Sequence, residues 1–322
     1  MSAPHVRVWG ALAVVYVVWG STYLGMAVLV ERIPPLVGMG SRFVVSTVIV
    51  GVLIVALRGP RALVARPDQI ARSALIGVLL LTIGNGLVAS AERYVPSGIA
   101  ALLIASTPVW VVVLRRLAGD VPSRATVAGV VGGFVGVVGL VIAGNRAGDA
   151  GAGYRPASPT AVTAWTLAIL VAALAWAVGS FMASRFARTD GLPKDPLTMT
   201  MWEFLAGGLV LMIIGTLSGE RLPPVADWGT RAVSAWLYLV VAGILAFLAY
   251  TWLLTNARLS LAATYAYVNP VVAVILGWWI KDENLTVAII VCGSVIVAGV
   301  ALIVRGEQSD STEAGTGETV NR

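Results

Sequence analysis

Ten long apolar runs limit what this chain can fold into. They lie at about 8–30, 36–57, 71–91, 97–114, 124–143, 161–184, 197–217, 231–255, 259–280 and 286–304. A helix of about 18 residues or more crosses roughly 30 Å of hydrocarbon. Most connectors are short, as at Glu31 to Pro35, Glu92 to Pro96 and Lys281 to Leu285, so neighbouring runs are expected to be antiparallel. Only 12% of the residues are charged and 58% are hydrophobic, against about 25% charged in soluble domains. The mean hydropathy of +0.89 agrees with an integral membrane protein. The first run follows Arg7. It exceeds an ordinary signal-peptide core and lacks an A-x-A-like cleavage site, so it is expected to be retained as the first span.

The net charge of +6 does not point to nucleic acid, because Lys and Arg sit at the ends of the apolar runs. Their distribution predicts orientation. Fourteen fall on the side that carries both termini and seven on the other, with Arg42 inside a span as the last of twenty-two. The loop after the second run alone holds Arg58, Arg61, Arg66 and Arg72. Both termini are therefore expected in the cytoplasm of a cell (plasma or inner) membrane protein. The single cysteine, Cys292, excludes an intrachain disulfide. The single histidine, His5, leaves a His/Cys metal site without ligands.

The chain divides near its midpoint. Residues 144–160, GNRAGDAGAGYRPASPT, form a Gly/Pro/Ser-rich linker, and residues 305–322 lack apolar periodicity and are expected to be a disordered cytoplasmic tail. The two halves, 1–143 and 161–304, can be laid over one another. Pro108 matches Pro270, Asp120 matches Asp282, Gly133 and Gly139 match Gly293 and Gly299, Trp19 matches Trp176, and Arg42-Phe43 matches Glu203-Phe204. Five spans is an odd number, so the halves must lie in opposite orientations. The expected fold is an all-α integral membrane protein of ten transmembrane helices arranged as two inverted five-helix repeats, a plan of secondary transporters.

With WGSTYLGMAV in span 1, SRF in span 2, the A-x-R-Y and STP patterns of spans 3 and 4, and YAYVNPVVAVILGW in span 9, residues 9–304 resemble the EamA family of the drug/metabolite transporter superfamily. The resemblance implies a ten-helix basket around a central cavity, with spans 5 and 10 away from it. It also implies no cofactor, and substrates among amino acids, related metabolites and other small solutes.

Several residues are candidates for substrate binding or gating. Arg42 and Glu203 are the ionisable residues deepest in a span, where each is worth roughly 2.5–3.5 kcal/mol against insertion. Their matched positions in the two halves would bring them together. A structural ion pair, a contact to substrate carboxylate or ammonium and, for Arg42 only seven residues past Pro35, snorkelling to the outer interface are all open readings. Tyr265 and Asn269 are four apart and share a helix face, while Tyr267 points elsewhere. Trp19 and Trp176 lie in mid-span rather than at an interface, where they would wall a cavity or pack the core. Asn85 lies between Gly84 and Gly86 and is either a pore or a packing residue. Pro108 and Pro270 are candidate hinges. The glycines of GVVGGFVGVVG in span 5 follow no strand, so they predict close packing on span 10 rather than a phosphate loop.

The expected function is secondary transport, by alternating access, of small metabolites such as amino acids out of the cell. The other readings are efflux of toxic compounds and a channel-like facilitator. No ATP-binding motif, selectivity filter or catalytic constellation stands out, so neither an enzyme nor a pump driven by hydrolysis is expected. Span 1 lacks the acid that four-span multidrug relatives carry there. An Arg42–Glu203 pair would hold Glu203 ionised, which argues against obligatory proton exchange. The expected partners are a small-molecule substrate and the lipid bilayer, with no nucleic acid; monomer and homodimer are both open.

Overall fold

Prolines start many of the helices. A computed structural model describes residues 3–95, 100, 103–146, 159–281 and 287–319. These residues form helices α1 (Ala3–Val30), α2 (Pro35–Arg58), α3 (Pro67–Ala91), α4 (Thr107–Leu117), α5 (Arg124–Arg146), α6 (Pro159–Ala187), α7 (Pro196–Leu217), α8 (Gly229–Asn256), the single turn α9 (Leu259–Ala262), α10 (Tyr265–Lys281) and α11 (Val287–Thr319). No strand occurs among the described residues. Proline opens α2, α3 and α7, where its missing N–H would have had no intrahelical partner. Asp195 caps α7 by accepting a hydrogen bond from Leu197 N at 3.2 Å. The Glu220 carboxylate accepts from Val37 N at 2.9 Å, in the first turn of α2. Gly59, at φ 83°, ends α2 in a conformation that a side chain would strain.

Six helices among the described residues are long and apolar enough to cross a membrane: Pro35–Arg58, Pro67–Ala91, Thr163–Ala187, Pro196–Leu217, Gly229–Asn256 and Val287–Gly306. Shorter apolar stretches cover Val6–Thr22 and Arg124–Gly139. Apolar residues such as Val48, Val52, Val131, Ile213 and Val241 lie exposed on the outer faces, as lipid-facing positions would.

The helices pair in a regular way. α2 packs along α7, and α5 along α11. α1 packs on α8 and α10, while α6 packs on α3 and α4. α8 also touches α2, and α3 touches α7. Small residues permit the close crossings. A Cβ on Gly299 would lie 2.6 Å from Gly133 N, and one on Gly40 would lie 2.9 Å from Met212 N. Gly132 faces open space instead.

Three local features differ from the expectations. α3 contains a π-helical stretch, Val78–Asn85, which nothing in the apolar pattern signals. Ala105–Ser106 is a turn, and α4 starts after it, so Pro108 sits in a first turn rather than in mid-helix. In place of the expected disordered tail, α11 continues beyond the apolar run to Thr319. A helix already formed propagates with one new bond per residue and needs no apolar face to do so. The linker residues 147–158 and Asp282 lie outside the described residues.

Candidate functional site

Between the helices lies a cavity of about 690 Å³, its open mouth included. Six sequence-predicted residues line it together: Trp19, Arg42, Asn85, Trp176, Tyr265 and Asn269. They come from α1, α2, α3, α6 and α10. Each reaches the cavity for a local reason. Asn85 ends the π-helical stretch, whose extra residue per turn rotates the rest of α3 about its axis. Tyr265 and Asn269 lie one turn apart on α10, so they present one face. Tyr267 lies on another face, where its hydroxyl donates to Val130 O at 2.9 Å and its ring covers Gly133.

Among the described lining residues Arg42 is the one Lys or Arg, and none is Asp or Glu. It is 5% exposed. Its Nη1 donates to Leu239 O and its Nη2 to Asn85 Oδ1, both at 3.4 Å, and its Nε has no partner. Asn269, 3% exposed, has an Oδ1 with no hydrogen bond. Arg42 Nε and Asn269 Oδ1 are thus buried polar atoms without a hydrogen bond, on two residues that line the cavity, although buried polar groups normally find partners.

Aromatic rings close one end of the space. Trp19 is 4.7 Å from Tyr265, 4.8 Å from Tyr250 and 6.0 Å from Phe247, centroid to centroid. Trp176 Nε1–H donates to Tyr250 Oη at 3.2 Å, and Ser180 Oγ lies 2.6 Å from the same oxygen. Phe247 and Tyr250, three apart in LAFLAYTW on α8, were not among the sequence candidates. The same helix also carries Trp236, Tyr238 and Trp252, so nothing in the sequence singled these two out.

Glu203 is not in this site. It is fully buried; its Oε2 accepts from Thr251 Oγ1 at 3.2 Å, and its Oε1 has no partner. Its backbone abuts Gly77. Of the readings left open for Arg42 and Glu203, the ion pair between them does not form. α2 and α7 do cross, but through Phe43 and Phe204, whose rings are 5.5 Å apart, and through Gly40 and Gly208. Arg42 and Glu203 each precede the contact residue by one position. On a helix that is a rotation of about 100° away from the contact. Arg42 therefore does not hold Glu203 ionised.

Pro270 lies inside α10, as its sixth residue. The break between α9 and α10 is held by Thr264, whose Oγ1–H donates to Leu261 O at 2.7 Å while Tyr16 Oη of α1 lies 2.5 Å from that Oγ1. A second buried acid went unnoticed in the sequence. Glu92, 9% exposed at the end of α3, has neither carboxyl oxygen hydrogen-bonded.

Comparison with known proteins gives this geometry its context. The uncharacterized inner membrane transporter YedA of Escherichia coli (strain K12) is 37% identical over 306 residues, covering 93% of this chain and 91% of that protein. The uncharacterized transporter YoaV of Bacillus subtilis (strain 168) is 25% identical over 298 residues, covering 92% and 96%. Protein PecM of Dickeya dadantii (strain 3937) is 26% identical over 292 residues, covering 89% of each. One protein crystal structure superposes with a TM-score of 0.73 over 95% of this chain and 98% of its own, at 21% identity, so the fold is shared. Residues 8–142 and 163–305 both match the EamA-like transporter family, and the chain belongs to that family.

Proposed function

We propose that the protein is a secondary transporter of the inner membrane that moves small amphipathic solutes, amino acids or close relatives of them, out of the cell by alternating access. The observation that carries this reading is the described lining of the cavity: one arginine, an asparagine whose amide oxygen has no partner, several aromatic rings and, among the described residues, no Asp or Glu. A carboxylate on the solute would take Arg42 in a charge-assisted hydrogen bond. An ammonium would take Asn269 Oδ1 and the ring faces of Trp19 and Trp176.

Ten spans in two inverted halves are the architecture we infer. The helix pairings support it, because exchanging the halves maps α1 on α8 onto α6 on α3, and α1 on α10 onto α6 on α4, while α2 on α7 and α5 on α11 map onto themselves. The two separate family matches support it as well. Termini in the cytoplasm follow from the Lys/Arg count. With that orientation, the cavity is lined from the outer half by Thr22 and Met26 of α1 and Val88 of α3. The arrangement is then outward-facing, and the inner end is closed by the rings around the buried Tyr250. Pro270 and the break before Tyr265 would serve as the flexible points when the halves rock.

The test is counterflow in proteoliposomes with labelled amino acids, one aromatic and one aliphatic, and a carboxylate lacking the amine. Saturable exchange of the amino acids supports the reading. Ohmic, unsaturable flux would make the protein a channel-like facilitator, and exchange confined to hydrophobic cations would make it an efflux pump for toxic compounds.

A further inference from the structure

The π-helical stretch of α3 is pinned on two sides, and the residue it delivers is Asn85. The amide of Gly86 reaches back five residues to Leu81 O. Thr82 Oγ1 donates to Gly207 O of α7 at 3.0 Å. A Cβ on Gly84 would lie 2.7 Å from the Trp176 ring of α6, and one on Gly86 would lie 2.7 Å from the Leu211 side chain of α7. These contacts fix the backbone on either side of Asn85. One residue of phase is about 100° on a helix, so a regular α-helix through the same residues would turn Asn85 to another face. Such π-helical stretches are frequent at functional sites. Here the stretch sets Asn85 beside Arg42, whose Nη2 donates to Asn85 Oδ1 at 3.4 Å. Leu239 O of α8 takes Nη1, and the guanidinium carbon lies 4.3 Å from the centre of the Phe43 ring.

Both oxygens that hold Arg42 are neutral, one from a side-chain amide and one from the backbone. They take only two of the N–H donors of the guanidinium, and Nε has no partner. An aspartate in place of Asn85 would grip the guanidinium more firmly, in a charge-assisted bond. It would also stand as a like charge before any carboxylate that approached. An asparagine orients the group without that repulsion. We propose that Asn85 is a positioning residue that sets the preference of the cavity for carboxylate-bearing solutes. It aims the Arg42 guanidinium from a fixed point on α3 and, being neutral, leaves the charge of Arg42 to the solute. The solute carboxylate then meets the remaining N–H donors, Nε among them. This inference rests on the solute reading of the cavity given above, and adds to it the residue that selects the carboxylate.

The experiment follows three labelled probes with the full-length protein. Phenylalanine carries both polar groups, hydrocinnamate lacks the ammonium, and phenethylamine lacks the carboxylate. Equilibrium binding is read in a neutral detergent, and counterflow in proteoliposomes. Asn85→Ala should weaken binding of phenylalanine and hydrocinnamate about five- to tenfold, the scale of a hydrogen bond to a charged group, and leave phenethylamine within about twofold. Asn85→Asp should weaken the two carboxylates by about tenfold or more and tighten phenethylamine, because a like charge then faces the carboxylate and an opposite one the ammonium. The Asp variant keeps an acceptor for Arg42, so it serves where the Ala variant folds poorly. A residue that only packs α3 would shift all three probes alike. Equal shifts of the three probes overturn the inference. So does an Asn85→Asp variant that binds hydrocinnamate as the wild type does, or a wild type that binds neither carboxylate. The expected binding pattern without counterflow would reject the transporter reading and keep the inference, while counterflow with equal shifts would do the reverse.

Discussion

The rings of Trp19 and Trp176 meet edge to face, with centroids 5.3 Å apart and planes at 84°. Both line the cavity between the helices, which we propose takes the solute. Removing either ring would open one side of the cage. Trp19→Ala or Trp176→Ala should raise KM for the best-carried amino acid by about five- to thirtyfold, the equivalent of about 1–2 kcal/mol of ring contact. Trp176→Phe keeps a ring face and loses the bond to Tyr250, so its KM should stay within about threefold. Equal losses in the Ala and Phe variants would show that Trp176 packs the core and does not touch the solute.

Arg42 and Glu203 should separate in the same assay. Arg42 lines the cavity, and Glu203 lies behind it against Thr251 and Gly77. Arg42→Gln is expected to raise KM about tenfold or more, since a charge-assisted hydrogen bond is worth about 1.5–3 kcal/mol. Glu203→Gln keeps an acceptor for Thr251 and should leave KM within about twofold. Matching KM changes in the two variants would mean that they act as one unit, against the geometry.

One substitution at two glycines should give opposite signs. A Cβ on Gly299 meets the backbone of Gly129 and Gly133 at 2.8 and 2.6 Å, whereas one on Gly132 meets nothing within 4 Å. Gly299→Ala is expected to destabilise by about 1–3 kcal/mol through overpacking. Gly132→Ala should stabilise by up to about 1 kcal/mol through helix propensity. Melting temperatures in one detergent decide the matter, and a stabilised Gly299→Ala would mean that α5 and α11 pack less closely than they do here.

Apolar runs and prolines made the all-helical, membrane-spanning character and many of the helix starts legible in the sequence, because membrane depth imposes length and composition on a spanning helix. Tyr265 with Asn269 was legible because a one-turn spacing survives any small error in helix start. The Arg42–Glu203 pairing was not, because matched positions give depth but leave rotation open, and one residue of phase turns a side chain about 100°. The π-helical stretch shifts that phase inside α3 and leaves no mark in hydrophobicity. Tyr250 and Phe247 stayed hidden because an aromatic in an apolar run reads the same whether it faces lipid, core or cavity.

Glu92 illustrates the remaining gap, since it reads as the first residue of a loop but is buried after the last turn of α3. Burial pushes its carboxyl up from the ordinary 4.5 to about 8. In the unfolded chain the group ionises near 4.5, while in the folded protein it stays protonated up to about 8. The folded state therefore holds its full advantage below about pH 4.5 and loses it steadily as pH rises to about 8, beyond which the loss is constant. At 1.36 kcal/mol per pH unit the ceiling is about 4 to 5 kcal/mol, and relaxation of the site will reduce it. Glu92→Gln carries no proton to lose and should flatten this slope. The variant should match the wild type near pH 5 and melt several degrees higher at pH 8. A parallel pH dependence in the two proteins would show that Glu92 finds water or a partner in solution.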